Sequence, residues 1–186
     1  MNIENTKFAG LLVIHPTVFG DERGFFLESW NQRKFNELVG ESVHFVQDNH
    51  SMSHKNILRG LHIQVGNEQG KLVRVTRGSV LDVVVDLRES SKTFGQYYSV
   101  ILSEYNKKQM WIPKGFAHGF LTLEDNTNFL YKCDNLYDPS SEVSLSWDDD
   151  SLSINWDDYL KGNEPILSKK DSEGISLKHF EERFLQ

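Results

Sequence analysis

Cysteine is nearly absent: Cys133 is the only one in 186 residues. A single thiol cannot close an internal disulfide, and a cytoplasmic setting is the expectation. No apolar run approaches the ~20 residues needed to span a bilayer, so no membrane association is expected. The opening Met1-Asn2-Ile3-Glu4-Asn5 has neither the basic nor the apolar region of a signal peptide. Runs of lysine and arginine are missing too, and the net charge is −7. That argues against nucleic acid as a partner. It leaves room for a small anion, because a pocket needs only a few cations locally. Repeats, low-complexity tracts and linkers are also lacking. The length then fits one domain over 1–186, with a C-terminal tail from about residue 148.

What is present reads mostly as strand. Residues 11–14 form a short apolar run closed by His15-Pro16, and 25–30 leave a turn at 20–24. Asn31 caps a predicted helix over 32–39, with Phe35, Leu38 and Val39 at helical spacing and Gly40 ending it. Residues 43–47 read as strand and the polar 48–54 as loop. Further strands are expected over 57–64, 71–77, 80–87, 97–102, 117–123 and 128–133, with a last one near 144–147. In 80–87, Leu81, Val83, Val85 and Leu87 alternate with Asp82, Val84 and Asp86, which predicts two unlike faces. Residues 148–158 are acidic and loop-rich, and 176–184 read as a terminal helix. Roughly nine to eleven short strands with little helix predict an all-β antiparallel sandwich or jelly roll.

The chemistry gathers on Ile57-Leu58-Arg59-Gly60-Leu61-His62-Ile63-Gln64. This strand is apolar enough to be buried, yet it carries Arg59 and His62, and Lys71 heads the next strand. Cations on buried strands predict an anion that comes to meet them. Arg59 and His62 are oddly spaced, so an ideal strand would point them to opposite faces. A bulge at Gly60 would re-aim one of them. Farther on, Pro113-Lys114-Gly115-Phe116-Ala117-His118 is a turn feeding a strand that starts on an inward histidine. It resembles the second motif of the cupin superfamily. Metal-binding cupins carry H-x-H and then a glutamate; here the run is His62-Ile63-Gln64, then Glu68. A metal set of His62, Glu68 and His118 is one alternative, but glutamine is a poor ligand in place of the second imidazole. A non-catalytic sugar-nucleotide or glycan binder on the same fold is another.

Several motifs occur together at compatible spacing. They are Asp21-x-Arg23-Gly24-x-Phe26-x-Glu28, Phe45-Val46-Gln47-Asp48-Asn49, Arg59-Gly60-Leu61-His62, Lys71-Leu72-Val73-Arg74-Val75, Asp82-Val83-x-Val85-Asp86-Leu87-Arg88, Ile112-Pro113-x-Gly115-Phe116-Ala117-His118-Gly119-Phe120 and Tyr131-Lys132. Jointly they resemble the dTDP-4-dehydrorhamnose 3,5-epimerase family over nearly the whole chain. That resemblance implies a cupin-type double-stranded β-helix, or jelly roll, with short peripheral helices. It implies a homodimer, a dTDP-sugar substrate inverted at C3 and C5, and chemistry with no cofactor and no metal. It assigns His62 as base, Tyr131 as acid, Lys71 as the partner of the enolate oxygen and Asp171 as the carboxylate behind His62. Substrate binding falls to Arg23, Glu28, Gln47, Asp48, Asn49, Arg59, Lys71, His118, Glu142 and Lys170, with Tyr137 stacking on thymine. An epimerase of one centre only is the alternative within the family. Residues 11–14 are the candidate for pairing across subunits.

Overall fold

The computed structural model describes residues 2–185. Thirteen strands and four short helices are found among them. The larger sheet has the order β1-β2-β10-β7-β12-β5. Its strands are β1 (Asn2–Asn5), β2 (Leu12–His15), β10 (Gln109–Ile112), β7 (Lys71–Arg77), β12 (Thr127–Cys133) and β5 (Gln47–Ser53). The smaller sheet runs β13-β6-β11-β8-β9. It holds β13 (Glu142–Ser144), β6 (Leu58–Gln64), β11 (Phe116–Thr122), β8 (Ser79–Asp86) and β9 (Tyr97–Ser103). Every pairing in both sheets is antiparallel. The two sheets pack face to face as the expected jelly roll, and a separate hairpin, β3 (Val18–Asp21) with β4 (Gly24–Leu27), stands apart from them.

Three apolar layers position the sheets. Between them lie Val73, Val75, Met110, Ile112 and Phe129 from the large sheet and Val80, Val84, Leu102, Phe116 and Phe120 from the small one. The outer face of the small sheet is covered by the tail. Leu152, Trp156, Leu160, Leu177 and Phe180 pack there on Leu58, Leu61, Leu81, Val83 and Val85. The outer face of the large sheet takes α1 (Gln32–Val39), whose Phe35 packs with Leu12, Ile14, Leu72 and Trp111. Strand β8 is buried on both sides, every residue of it. Its period-2 pattern therefore separates two cores, with Asp82 and Asp86 on the face turned to the other sheet.

Helix α1 has the expected bounds. Asn31 accepts from the backbone N–H of Lys34, and Gly40 ends the helix at a φ of 77°. The tail folds into α2 (Asp157–Leu160), α3 (Lys169–Ser172) and α4 (Leu177–Phe184), the last capped by Ser176. Three expectations need correction. The strand predicted over 43–47 and the loop over 48–54 are reversed: 43–46 are irregular and Gln47–Ser53 is β5. Burial along β5 alternates, but its inward residues line a polar cavity, so hydrophobic periodicity does not mark it. The last strand is β13 at Glu142–Ser144, just before the stretch expected. Finally, β2 is not free to pair across subunits, because β1 and β10 flank it on both sides.

Candidate active site

A bulge brings Arg59 and His62 onto one wall. His118 of β11 pairs with His62 and Phe120 with Arg59, so β6 holds one residue more than β11 between those pairs. Gly60 sits in the bulge at a φ of 120°. A Cβ there would meet Gly119 Cα at 2.5 Å and the His118 carbonyl oxygen at 2.7 Å, so only glycine fits. Arg59 and His62 thereby line a single cavity of about 400 Å³ between the sheets. Arg59 Nε donates to Ser53 Oγ at 3.1 Å, which leaves the rest of its guanidinium to the cavity.

The small sheet and the tail build the histidine wall. His62 Nε2 lies 2.6 Å from Asp171 Oδ1. The Asp171 carboxylate also accepts from Ser168 Oγ at 2.6 Å and from Gly60 N at 3.3 Å. Burial pushes this carboxyl up, but the hydrogen bonds from His62, Ser168 and Gly60 outweigh it and hold it down to about 2. An ionised Asp171 assigns the His62 proton to Nε2 and leaves Nδ1 as the basic nitrogen. Nδ1 lies 3.9 Å from Glu142 Oε1. Glu142 Oε2 accepts from Lys170 Nζ and from the Tyr137 hydroxyl, each at 2.9 Å. Burial works against the Glu142 anion, yet these partners keep its pKa below the usual value, and the same bond pushes the Tyr137 phenol up.

The large sheet supplies the opposite wall. Gln47, Asn49 and Ser51 reach in from β5, Lys71 from β7, and Phe129 and Tyr131 from β12. The Lys71 ammonium has no hydrogen bond or ion pair among the described residues. Burial pushes its ammonium below the ordinary lysine value, against the pull of Cys133, Glu142 and Asp82. Burial likewise pushes the Tyr131 phenol up, so it stays protonated at neutral pH. His62 and Tyr131 therefore stand on facing sheets, with an unpaired cation beside the tyrosine.

Most of the expected residues converge here: Gln47, Asn49, Arg59, His62, Lys71, His118, Tyr131, Tyr137, Glu142, Lys170 and Asp171. Three do not. Asp48 points to the outer face of β5, where its carboxylate takes a 2.8 Å bond from Lys132 Nζ. Arg23 lies at the tip of the hairpin and is bound to Asp21. Glu28 follows the hairpin and accepts from Lys34 at 2.8 Å. Sequence reasoning passed over Asp82 as a functional residue. It is fully buried and holds His118 Nε2 at 3.0 Å. The signal available was an acid at an inward position between the valines of a largely aliphatic strand. Ser168 was also missed, though it lines the cavity. The alternative metal set of His62, Glu68 and His118 does not form, as the described residues hold no group of three His, Cys, Asp or Glu side chains able to hold an ion. His62 is committed to Asp171 and His118 to Asp82. A wider concavity of about 760 Å³ lies across Glu142 and Lys170, but neither His62 nor Tyr131 lines it.

The chain is similar to known proteins along most of its length. Residues 5–179 match the family model described as dTDP-4-dehydrorhamnose 3,5-epimerase. The dTDP-4-dehydrorhamnose 3,5-epimerase of Salmonella typhimurium is 55% identical over 173 residues, covering 92% of this chain and 93% of that protein. A crystal structure of the Legionella pneumophila dTDP-6-deoxy-D-glucose-3,5-epimerase, in complex with dTDP-4-keto-L-rhamnose, superposes with a TM-score of 0.90. It is 49% identical, over 95% of this chain and 93% of that one. A 3′-monoepimerase from Streptomyces bikiniensis, in complex with dTDP-quinovose, matches with a TM-score of 0.89. It is 31% identical, over 95% and 88% of the two chains. Its fold, the length of the match and the level of identity place this chain in the dTDP-4-dehydrorhamnose 3,5-epimerase family.

Proposed function

We propose that the protein converts dTDP-4-dehydro-6-deoxy-D-glucose to dTDP-4-dehydro-L-rhamnose by inverting C3 and C5, on the route to dTDP-L-rhamnose. The observation that carries this reading is the placement of a base and an acid on facing walls of one cavity. Protons at C3 and C5 are both α to the C4 carbonyl. His62 takes one of them, and the electron pair moves onto the C4 oxygen as an enolate. Asp171 stabilises the imidazolium that forms. The unpaired Lys71 ammonium meets the developing oxyanion, where a preorganised cation acts most strongly. Tyr131 then returns a proton from the opposite face, so the carbon is inverted rather than restored. Exchange of both groups with solvent resets the pair for the second carbon.

Arg59 and Lys170 suit the pyrophosphate, since a guanidinium fork matches phosphate oxygens. The Tyr137 ring, 49% exposed at the rim, suits the thymine. Gln47, Asn49, His118 and Glu142 face the sugar. Arg23 and Glu28 lie off this cavity within one chain, and the hairpin that carries Arg23 leaves Phe19, Phe25 and Phe26 at 63%, 61% and 70% exposure. A homodimer accounts for both facts: a second copy covers these rings and carries Arg23 and Glu28 to its own pocket. With one cysteine and, among the described residues, no helix long and apolar enough to cross a membrane, the cytoplasm is the setting we assign.

Incubation with dTDP-4-keto-6-deoxyglucose, followed by reduction of the product, tests the reading through the configuration of the sugar. Inversion at both C3 and C5 is expected. Inversion at one carbon alone would make the protein a single-centre enzyme like the Streptomyces monoepimerase.

A further inference from the structure

Given that His62 is the base, as proposed above, we infer that Ser168 is a positioning residue of the reaction. Its hydroxyl fixes the plane of the Asp171 carboxylate and, through it, the His62 ring. Asp171 uses its two oxygens differently. Oδ1 meets His62 Nε2 at 2.6 Å and Gly60 N at 3.3 Å. Oδ2 accepts from Ser168 Oγ at 2.6 Å. That hydroxyl also accepts from the Asp171 backbone N–H at 3.2 Å. Ser168 therefore grips residue 171 twice, at its backbone and at its side chain. A carboxylate bonded on one oxygen swings freely about its last torsion. Bonded on both, it presents Oδ1 to His62 in one orientation.

The spacing of Ser168 and Asp171 is that of a capping box, where the acid normally bonds back to the backbone N–H of the cap. Here the acid is turned away from that duty. It faces the histidine and the serine hydroxyl, while the serine keeps its own half of the box. The segment itself is anchored on both sides of the pair. Leu58 N donates to Ile166 O at 3.1 Å on the strand that carries His62, and Ile175 N donates to Ser144 O at 2.9 Å on β13. Helix α3 has only four residues, too few to stand without such anchors. The anchors place the segment, and Ser168 sets the last torsion of its functional side chain.

The test compares wild type with Ser168→Ala, Ser168→Gly and Ser168→Thr in solvent deuterium exchange, with melting temperatures measured alongside. Glycine keeps most of a helix cap and alanine does not, so the two differ in stability by the capping contribution alone. Both lack the hydroxyl. Alanine and glycine are expected to lower kcat for exchange at C3 and C5 by about tenfold, with KM within about twofold of wild type. Threonine is expected to recover most of the lost rate. An alanine variant with wild-type kcat would overturn the inference, as would rate losses that follow melting temperature across alanine and glycine. Exchange by the wild type keeps the epimerase reading intact in either case. Absence of exchange in the wild type would overturn that reading and this inference with it.

Discussion

At the scale of residues, the proposed base His62 depends on an ionised Asp171, and the two are far apart in the chain, 109 positions. No pattern of spacing links them; the family resemblance did, and the fold brings them to hydrogen-bonding distance. His62→Ala is expected to abolish label uptake at C3 and C5, a loss of at least about a thousandfold. Tyr131→Phe should behave differently. His62 can still remove a proton and return one to the same face. The variant should therefore take up deuterium with retained configuration and form no product, which NMR of the recovered substrate would show. Uptake with inversion would place the acid elsewhere. Asp171 also makes a statement about acid stability. Its pKa is lowered in the folded state to about 2, so its stabilisation is present above the unfolded-state value near 4 and is lost as pH falls from there toward 2. That loss amounts to about 2 kcal/mol, and Asp171→Asn should flatten this part of a denaturation-versus-pH curve.

At the scale of elements, strands with one apolar face were legible and strands with two polar faces were not. Helix α1 was legible in full because Asn31 and Gly40 supply both of its ends. Strand β5 was hidden because Gln47, Asn49 and Ser51 face the cavity while Asp48, His50 and Met52 face outward. A functional wall of a jelly roll looks like a loop to hydrophobic periodicity. The bulge in β6 was foreseeable from the parity of Arg59 and His62 with a glycine between them. Its cost is testable. Gly60→Ala forces a Cβ against the backbone of Gly119 and His118 at a φ that L residues avoid. A destabilisation of about 3 kcal/mol is expected, read as a fall in melting temperature. Residual folded protein should lose activity, because Arg59 and His62 could no longer share a wall.

At the scale of the whole molecule, the residues sort by layer. The core between the sheets carries the pocket, the tail buries the back of the small sheet and delivers Asp171, and α1 closes the large sheet. The sequence marked the tail as a decoration, because Leu152, Trp156 and Leu160, though four apart, are only three apolar positions dispersed in an acidic, loop-rich stretch. All three are nearly fully buried. In the proposed homodimer, the hairpin β3–β4 acts outside its own protomer. Phe26→Asp is expected to shift the protein from dimer to monomer in sedimentation, and to weaken substrate binding by withdrawing Arg23 and Glu28. A wild-type protein that sediments as a monomer at micromolar concentration would remove the role given to those two residues.

In the proposed reaction one base and one acid, without a metal, work on both carbons flanking a C4 ketone. Incubating the enzyme in D₂O with dTDP-4-keto-6-deoxyglucose and EDTA, and reading deuterium at each carbon by NMR, tests it most directly. Label is expected at both C3 and C5, at a rate that EDTA leaves unchanged. Label at neither carbon, or uptake abolished by EDTA and restored by a divalent ion, would contradict it.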